Sequence, residues 1–215
     1  MTVLLCGSSQ THLGTEMPSG GGHIIRALFI HIPKAGGTSV ESWMKGIAPL
    51  RLFSMGIPHA SRCTPQHYRA QDIEALLGEG FFDYAFTIVR NPYHRIESEY
   101  RMRAQLAKDS FWKGLPAFSP WVEENLDLQR RAKFHLDNHL RPQWEFLGKD
   151  VEVFKLEDGL AAPLAAVAER LGVAPPQQNP HELRSDPLEI EWSPADRIRV
   201  RDHYARDFET FGYQP

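Results

Sequence analysis

The sequence predicts an α/β fold: one domain whose mostly parallel central sheet is flanked by helices. Three observations predict it. An apolar run at 27–32 passes through a short glycine-containing loop into a segment with Val40, Trp43 and Met44 on one side, the spacing of a helix. A second run at 84–89, "YAFTIV", leads straight into "RNPYHRIESEY", where Asn91 and Pro92 supply a cap and a first turn. A third, "VEVFKLE" at 151–157, precedes Leu160, Leu164, Val167 and Leu171 at helical spacing. Strand then helix, three times over, is the pattern of a layered α/β domain.

Taken in order, the first strand covers 27–32, its loop 33–37, and the first helix 38–45, with Gly46 placed to stop it. Thr64 is read as the cap of a helix over 65–77, whose apolar stripe is Tyr68, Ile73, Leu76 and Leu77. The helix after the second strand turns Tyr93, Ile96 and Tyr100 toward the core and leaves Asn91, Arg95 and Ser98 near the other face. Residues 111–121 are aromatic and proline-broken, a loop over a site or a packed insertion, with a helical segment following from Pro120. Gly172 ends the helix begun near Leu160, and Ser193 with Asp196 forms a capping box for a last helix that finishes near "ETFGYQP". The Gly-, Ser- and Thr-rich stretch near the start reads as a flexible leader over 1–23, with Met17 as an alternative start, and the domain as 24–215.

Composition narrows the function classes. At 215 residues, 42% hydrophobic and 24% charged, the chain can bury a sizeable core. A net charge of −3 gives no general attraction to nucleic acid or an anionic membrane, so any affinity for anions must be local. No stretch approaches a membrane span or a secretory core. Cys6 and Cys63 lack the spacing of a zinc cluster or disulfide framework. A cytoplasmic setting is therefore expected, and nothing in the sequence speaks to oligomeric state.

The loop "PKAGGTS" carries the first chemistry. A helix N-terminus presents unpaired N–H groups and partial positive charge, so a loop that brings an anion there binds it without a basic protein. Gly36 and Gly37 permit close backbone approach, Lys34 adds a charge, and the Thr38 and Ser39 hydroxyls can donate in the first turn. A tight turn with a cap would account for "GGTS", but not for a lysine beside it. A Walker A loop has lysine directly after its last glycine; here Lys34 precedes both glycines and no "GK[ST]" occurs. No carboxylate is placed for Mg²⁺ beside the loop. In the second motif, Arg90 at the strand exit and Ser98 eight residues on can grip one further anion.

Together "HIPKAGGTS" and "VRNPYHRIESEY" resemble the sulfotransferases, and most closely their carbohydrate-sulfotransferase-like branch, with its "HIPKTGGTS" loop and "VRNPxxRxxSxY" segment. Weaker likenesses in "HASRCTPQHY", "NHLRPQ", "VEVFKLED" and "YARDFETFGY" extend it over most of 25–213. The resemblance implies a P-loop-NTPase-like sulfotransferase fold and 3′-phosphoadenosine 5′-phosphosulfate (PAPS) as donor, with the bisphosphate PAP as product. It implies that Lys34, Ala35, Gly36, Gly37, Thr38 and Ser39 hold the 5′-phosphosulfate, that Arg90 and Ser98 hold the 3′-phosphate, and that no metal is needed. The chain departs from the pattern at Ala35, where Thr is commoner, and at Glu97, an acid that is expected to point away from the 3′-phosphate.

Sulfuryl transfer needs an acceptor oxygen in line with the leaving group and positive charge where negative charge collects. Lys34 fits the second need. The acceptor, a hydroxyl of a carbohydrate or small molecule, must lose a proton, and His59 in the "IPHAS" loop is the expected base, at a position where matching family members carry histidine. His31 reads as a core histidine and His94 as exposed; His139 and Arg141 fit either substrate contact or a tie between helices, and Trp112 and Trp121 either stacking on substrate or core packing. The alternatives are a P-loop nucleotide kinase or hydrolase, and a non-catalytic nucleotide-binding module.

Overall fold

The computed structural model describes residues 2–7, 24–53, 55–108, 114–177 and 188–215. Its centre is a five-stranded sheet of β1 (Thr2–Gly7), β2 (Ile24–Ile30), β3 (Leu50–Arg51), β4 (Tyr84–Val89) and β5 (Val151–Lys155), in the order β3-β1-β2-β4-β5. β2, β4 and β5 run parallel, whereas β1 pairs antiparallel with both β2 and β3. The parallel part is thus three strands wide, with an antiparallel extension at one edge. β1 lies inside the stretch expected to be a leader, which corrects that boundary for residues 2–7: six residues are enough for a strand once neighbours on both sides, β2 and β3, supply the hydrogen bonds. The remainder of that leader, 8–23 with Met17, lies outside the described residues.

The "ALFI" run of β2 is apolar throughout because both faces of the sheet are covered. Side chains alternate. Ala27 and Phe29 join Phe86 and Ile88 of β4 under α1 (Gly37–Lys45) and α5 (Ala161–Leu171), whose Val40, Met44, Leu164 and Val167 are fully buried there. Leu28 and Ile30 face the opposite layer, with Ile73 of α2 (Ala70–Leu77), Phe146 and Phe211. A third cluster joins α3 (Pro92–Lys108), α4 (Phe118–Arg131), α6 (Pro194–His203) and α7 (Ala205–Phe211) through Ile96, Tyr100, Trp121, Leu126, Val200 and Phe208. Trp121 is core there; Trp112 lies outside the described residues.

The helix expected over 65–77 is two pieces. A 3-10 turn at Pro65–His67 gives way to extended backbone at Tyr68, and α2 starts at Ala70, with the Asp72 carboxylate accepting from the Arg69 amide at 2.9 Å. The break takes Tyr68 out of the helical stripe, and within α2 only Ile73 of that stripe is buried, while Leu76 and Leu77 in the last turn are 62% and 41% exposed. The Ser193–Asp196 capping box forms as expected: the Asp196 amide donates to Ser193 Oγ at 3.1 Å.

Candidate functional site

Adjacent parallel strands end at the same edge of a sheet, so the loops that leave them open into one crevice. Ile30 of β2 is level with Thr87 of β4, whose hydroxyl donates to the Ile30 carbonyl at 2.7 Å. The β2–α1 and β4–α3 joints therefore emerge side by side. The Arg90 guanidinium donates to the Lys34 carbonyl at 3.3 Å, which ties the two sequence motifs together.

In the first joint Lys34 holds a left-handed backbone (φ +66°), unusual for a residue with a side chain, and Gly36 follows at φ +83°. Gly37 is glycine for space: a Cβ there would stand 2.5 Å from His31 Nε2. Gly36 is the N-cap of α1, and no side chain caps that helix. Its first turn thus keeps backbone donors for an anion. Thr38 is exposed, whereas Ser39 and Ala35 are buried. Burial lowers the Lys34 pKa, and the nearby Arg90 and Arg103 charges add to this while Glu99 opposes it. The Lys34 ammonium makes no ion pair among the described residues.

A buried carboxylate does act on the Lys34 charge. Glu99 of α3 is fully buried, with one oxygen 2.7 Å from His139 Nδ1 and the other accepting from Arg103 Nε at 2.8 Å. Burial alone would raise its pKa, but His139 and Arg103 outweigh that and hold it at about 2. With both oxygens engaged, it is a poor ligand for Mg²⁺.

The second joint is braced from far along the chain. Gln143 accepts from the Arg90 amide at 2.9 Å and donates to the Arg90 carbonyl at 2.7 Å, and Glu157 accepts from the Asn91 amide at 2.7 Å. Gln143 and Trp144 amides in turn donate to Asp207, both at 2.9 Å. Ser98 is half-buried on α3. Arg95, expected near the same face, instead lies 2% exposed, and its guanidinium donates to the carbonyls of Pro33, Arg141 and His139. Those free carbonyls, invisible in the sequence, draw it inward. Glu97 turns to Trp192 Nε1 and Arg101. Arg141, expected as either a substrate contact or a tie between helices, is buried within its own segment, where it pairs with Glu145 and donates to Asn138 and the Lys133 carbonyl.

The histidines divide sharply. His59 sits exposed on a turn and makes no hydrogen bond among the described residues; His94 is exposed beside Glu157. His31, His67 and His139 form a row, with ring centroids 5.3 Å apart for the first pair and 4.9 Å for the second. Each is backed by a carboxylate at Nδ1: Glu41 for His31 at 2.9 Å, Asp137 for His67 at 2.8 Å, Glu99 for His139 at 2.7 Å. His67, His139 and Asp137 have the composition of a metal site, but the Asp137 carboxylate already accepts from the Thr64 amide, the Thr64 hydroxyl and His67. The sequence signal for this row was the polar density of "TPQH" and "LDNH", whose pairing across some seventy residues no local pattern reveals.

The chain belongs to the sulfotransferase family, whose model matches residues 25–214. No curated protein matches it. No solved structure does either.

Proposed function

We propose that this member of the sulfotransferase family moves a sulfuryl group from PAPS to a hydroxyl of a carbohydrate or small-molecule acceptor. The observation that carries the reading is the tie between the two joints, which sets an uncapped helix N-terminus and Lys34 beside Arg90 at one sheet edge. A donor with an anion at each end fits that arrangement. The bare first turn of α1, with Gly36 and Gly37 clearing the approach and Thr38 and Ser39 adding hydroxyls, takes the 5′ end; Arg90 and Ser98 take the 3′-phosphate.

The donor supplies an activated sulfate whose bridging oxygen must accept charge as the bond to sulfur breaks. Lys34 neutralises that charge, and the desolvation that lowers its pKa strengthens every electrostatic interaction it makes. The reading calls for no metal ion and a cytoplasmic setting. No described helix is long and apolar enough to cross a membrane. Two histidines compete for the acceptor proton: His59, offered by the family resemblance, and His67, offered by the geometry.

A P-loop kinase or hydrolase is the second reading; the absence of "GK[ST]" weighs against it. A screen for transfer of radiolabelled sulfate from PAPS to glycan, phenol and alcohol acceptors, with and without chelator, tests the proposal. Transfer that survives chelation is expected. Labelling of no acceptor, together with Mg²⁺-dependent turnover of ATP, would overturn it.

A further inference from the structure

Outside the two strand-to-helix joints, the helical layer holds a cleft that the proposed reaction does not use. It encloses about 470 Å³ between α4, α6 and the 3-10 turn at Gln143–Phe146, the size of a small-molecule site. None of its lining residues belongs to either joint. Residues 139–142 lie between: the His139 and Arg141 carbonyls hold Arg95, which also takes the Pro33 carbonyl of the first joint, whereas Pro142 lines the cleft.

The wall from α4 contains a polar side chain with no structural use. Trp121, Asn125 and Gln129 follow one another at four-residue spacing on the buried side of that helix, where apolar side chains would serve packing better. Asn125 is satisfied: its amide donates to the Trp121 carbonyl at 2.8 Å, and its oxygen lies 2.8 Å from His135 Nε2. Gln129 is 1% exposed, and its Nε2 has no partner. A buried amide without an acceptor is costly, and a leucine would avoid the cost.

The wall from α6 repeats the situation. The Arg130 guanidinium, which can only donate, lies 3.5 Å from His203 Nδ1, so Nδ1 accepts and the ring proton sits on Nε2. That Nε2 is buried and likewise has no partner. Burial pushes the His203 pKa down to about 4; Arg130, Arg95 and Lys133 add to this, and the Leu140 carbonyl, which already accepts from the Tyr204 hydroxyl at 2.8 Å, opposes it. The ring is therefore neutral at pH 7. Two N–H donors thus line one cleft with nothing to donate to.

Charge and shape narrow what would accept from them. Glu145 and Asp202 are paired with Arg141 and Arg201, and Arg130 and Arg199 with Asp127 and Asp196. Lys133 lines the cleft and makes no ion pair among the described residues. Pro142 and Trp144, whose ring centre is 3.6 Å from the Arg206 guanidinium, supply an apolar wall. Two donors, one uncompensated positive charge and an apolar wall suit an oxyanion of single charge on a carbon framework.

We propose that this cleft binds a small organic monoanion, a carboxylate or a sulfate monoester on a sugar-sized framework, whose oxygens accept from Gln129 Nε2 and His203 Nε2 beside Lys133. The site is separate from the donor crevice, and the inference does not rest on the donor reading.

Calorimetry on the full chain with glucuronate, glucose 6-sulfate and neutral glucose, each with and without PAP, tests it. Saturable one-to-one binding of at least one acid, with Kd of about 1 mM or tighter, is expected; which acid binds identifies carboxylate or sulfate ester. Glucose is expected not to bind, and PAP to change the acid's affinity less than about twofold. Gln129→Leu, similar in volume, is expected to weaken binding at least ~10-fold while its denaturant midpoint holds or rises, since an unsatisfied amide is removed from the interior. Lys133→Ala, an exposed change that leaves the fold intact, is expected to weaken it about 3- to 10-fold and to flatten its dependence on salt. No saturable binding of either acid, equal binding of glucose, an affinity unchanged in both variants, or displacement of the acid by PAP would overturn the proposal.

Discussion

The two strand-to-helix joints do similar work by different means. The β2–α1 joint is built locally: a left-handed lysine, two glycines and a helix start without a side-chain cap, all within a few residues. The β4–α3 joint has ordinary strand and helix on either side and is held by Gln143, Glu157 and, behind them, Asp207. The first shapes a backbone cradle, which only the residues within it can form. The second positions a side chain, Arg90, and distant residues can do that as well as near ones.

Substitutions sharpen the contrast. Lys34→Ala has the largest expected effect, a loss of about 10²–10³-fold in kcat, since it removes the charge that meets the leaving oxygen; steady-state transfer from PAPS measures it. Gly37→Ala comes next. Its Cβ falls 2.5 Å from His31 Nε2, and the overpacking, about 1–3 kcal/mol, should weaken PAP binding about 10- to 100-fold while the fold survives. Arg90→Ala should weaken PAP about tenfold or more, the worth of charge-assisted hydrogen bonds, with kcat at saturating donor changed far less. Gln143→Ala has the smallest effect on binding, about threefold. It leaves the Arg90 amide and carbonyl unpaired and should lower unfolding stability by about 1–3 kcal/mol, read in a denaturant titration. If Gln143→Ala abolished binding while Gly37→Ala did not, the assignment of local and distant support would be reversed.

That difference also explains what was legible in the sequence. The 84–89 strand, the glycine stops at Gly46 and Gly172 and the Ser193–Asp196 box depend on neighbours a few residues away, and the structure has each of them. Strand β1 was missed because its place in the sheet comes from antiparallel partners on either side, β2 and β3, which no local pattern reveals. Arg95 was placed on the wrong face because helical spacing says nothing of three carbonyls waiting behind it. The residues proposed to face the donor's anions sit on short motifs, so a sequence reading can name them as candidates. The His67–Asp137 pair spans seventy positions, and its cue, three non-glycine residues in left-handed conformation, has no signature in composition.

Whether one ligand with an anion at each end bridges both joints is tested by calorimetry with PAP and with ATP, in chelator and in Mg²⁺. PAP is expected to bind in chelator, more tightly than ATP under either condition, and Lys34→Ala and Arg90→Ala are each expected to weaken it. Tighter binding of Mg²⁺–ATP, with PAP affinity indifferent to Arg90, would contradict it.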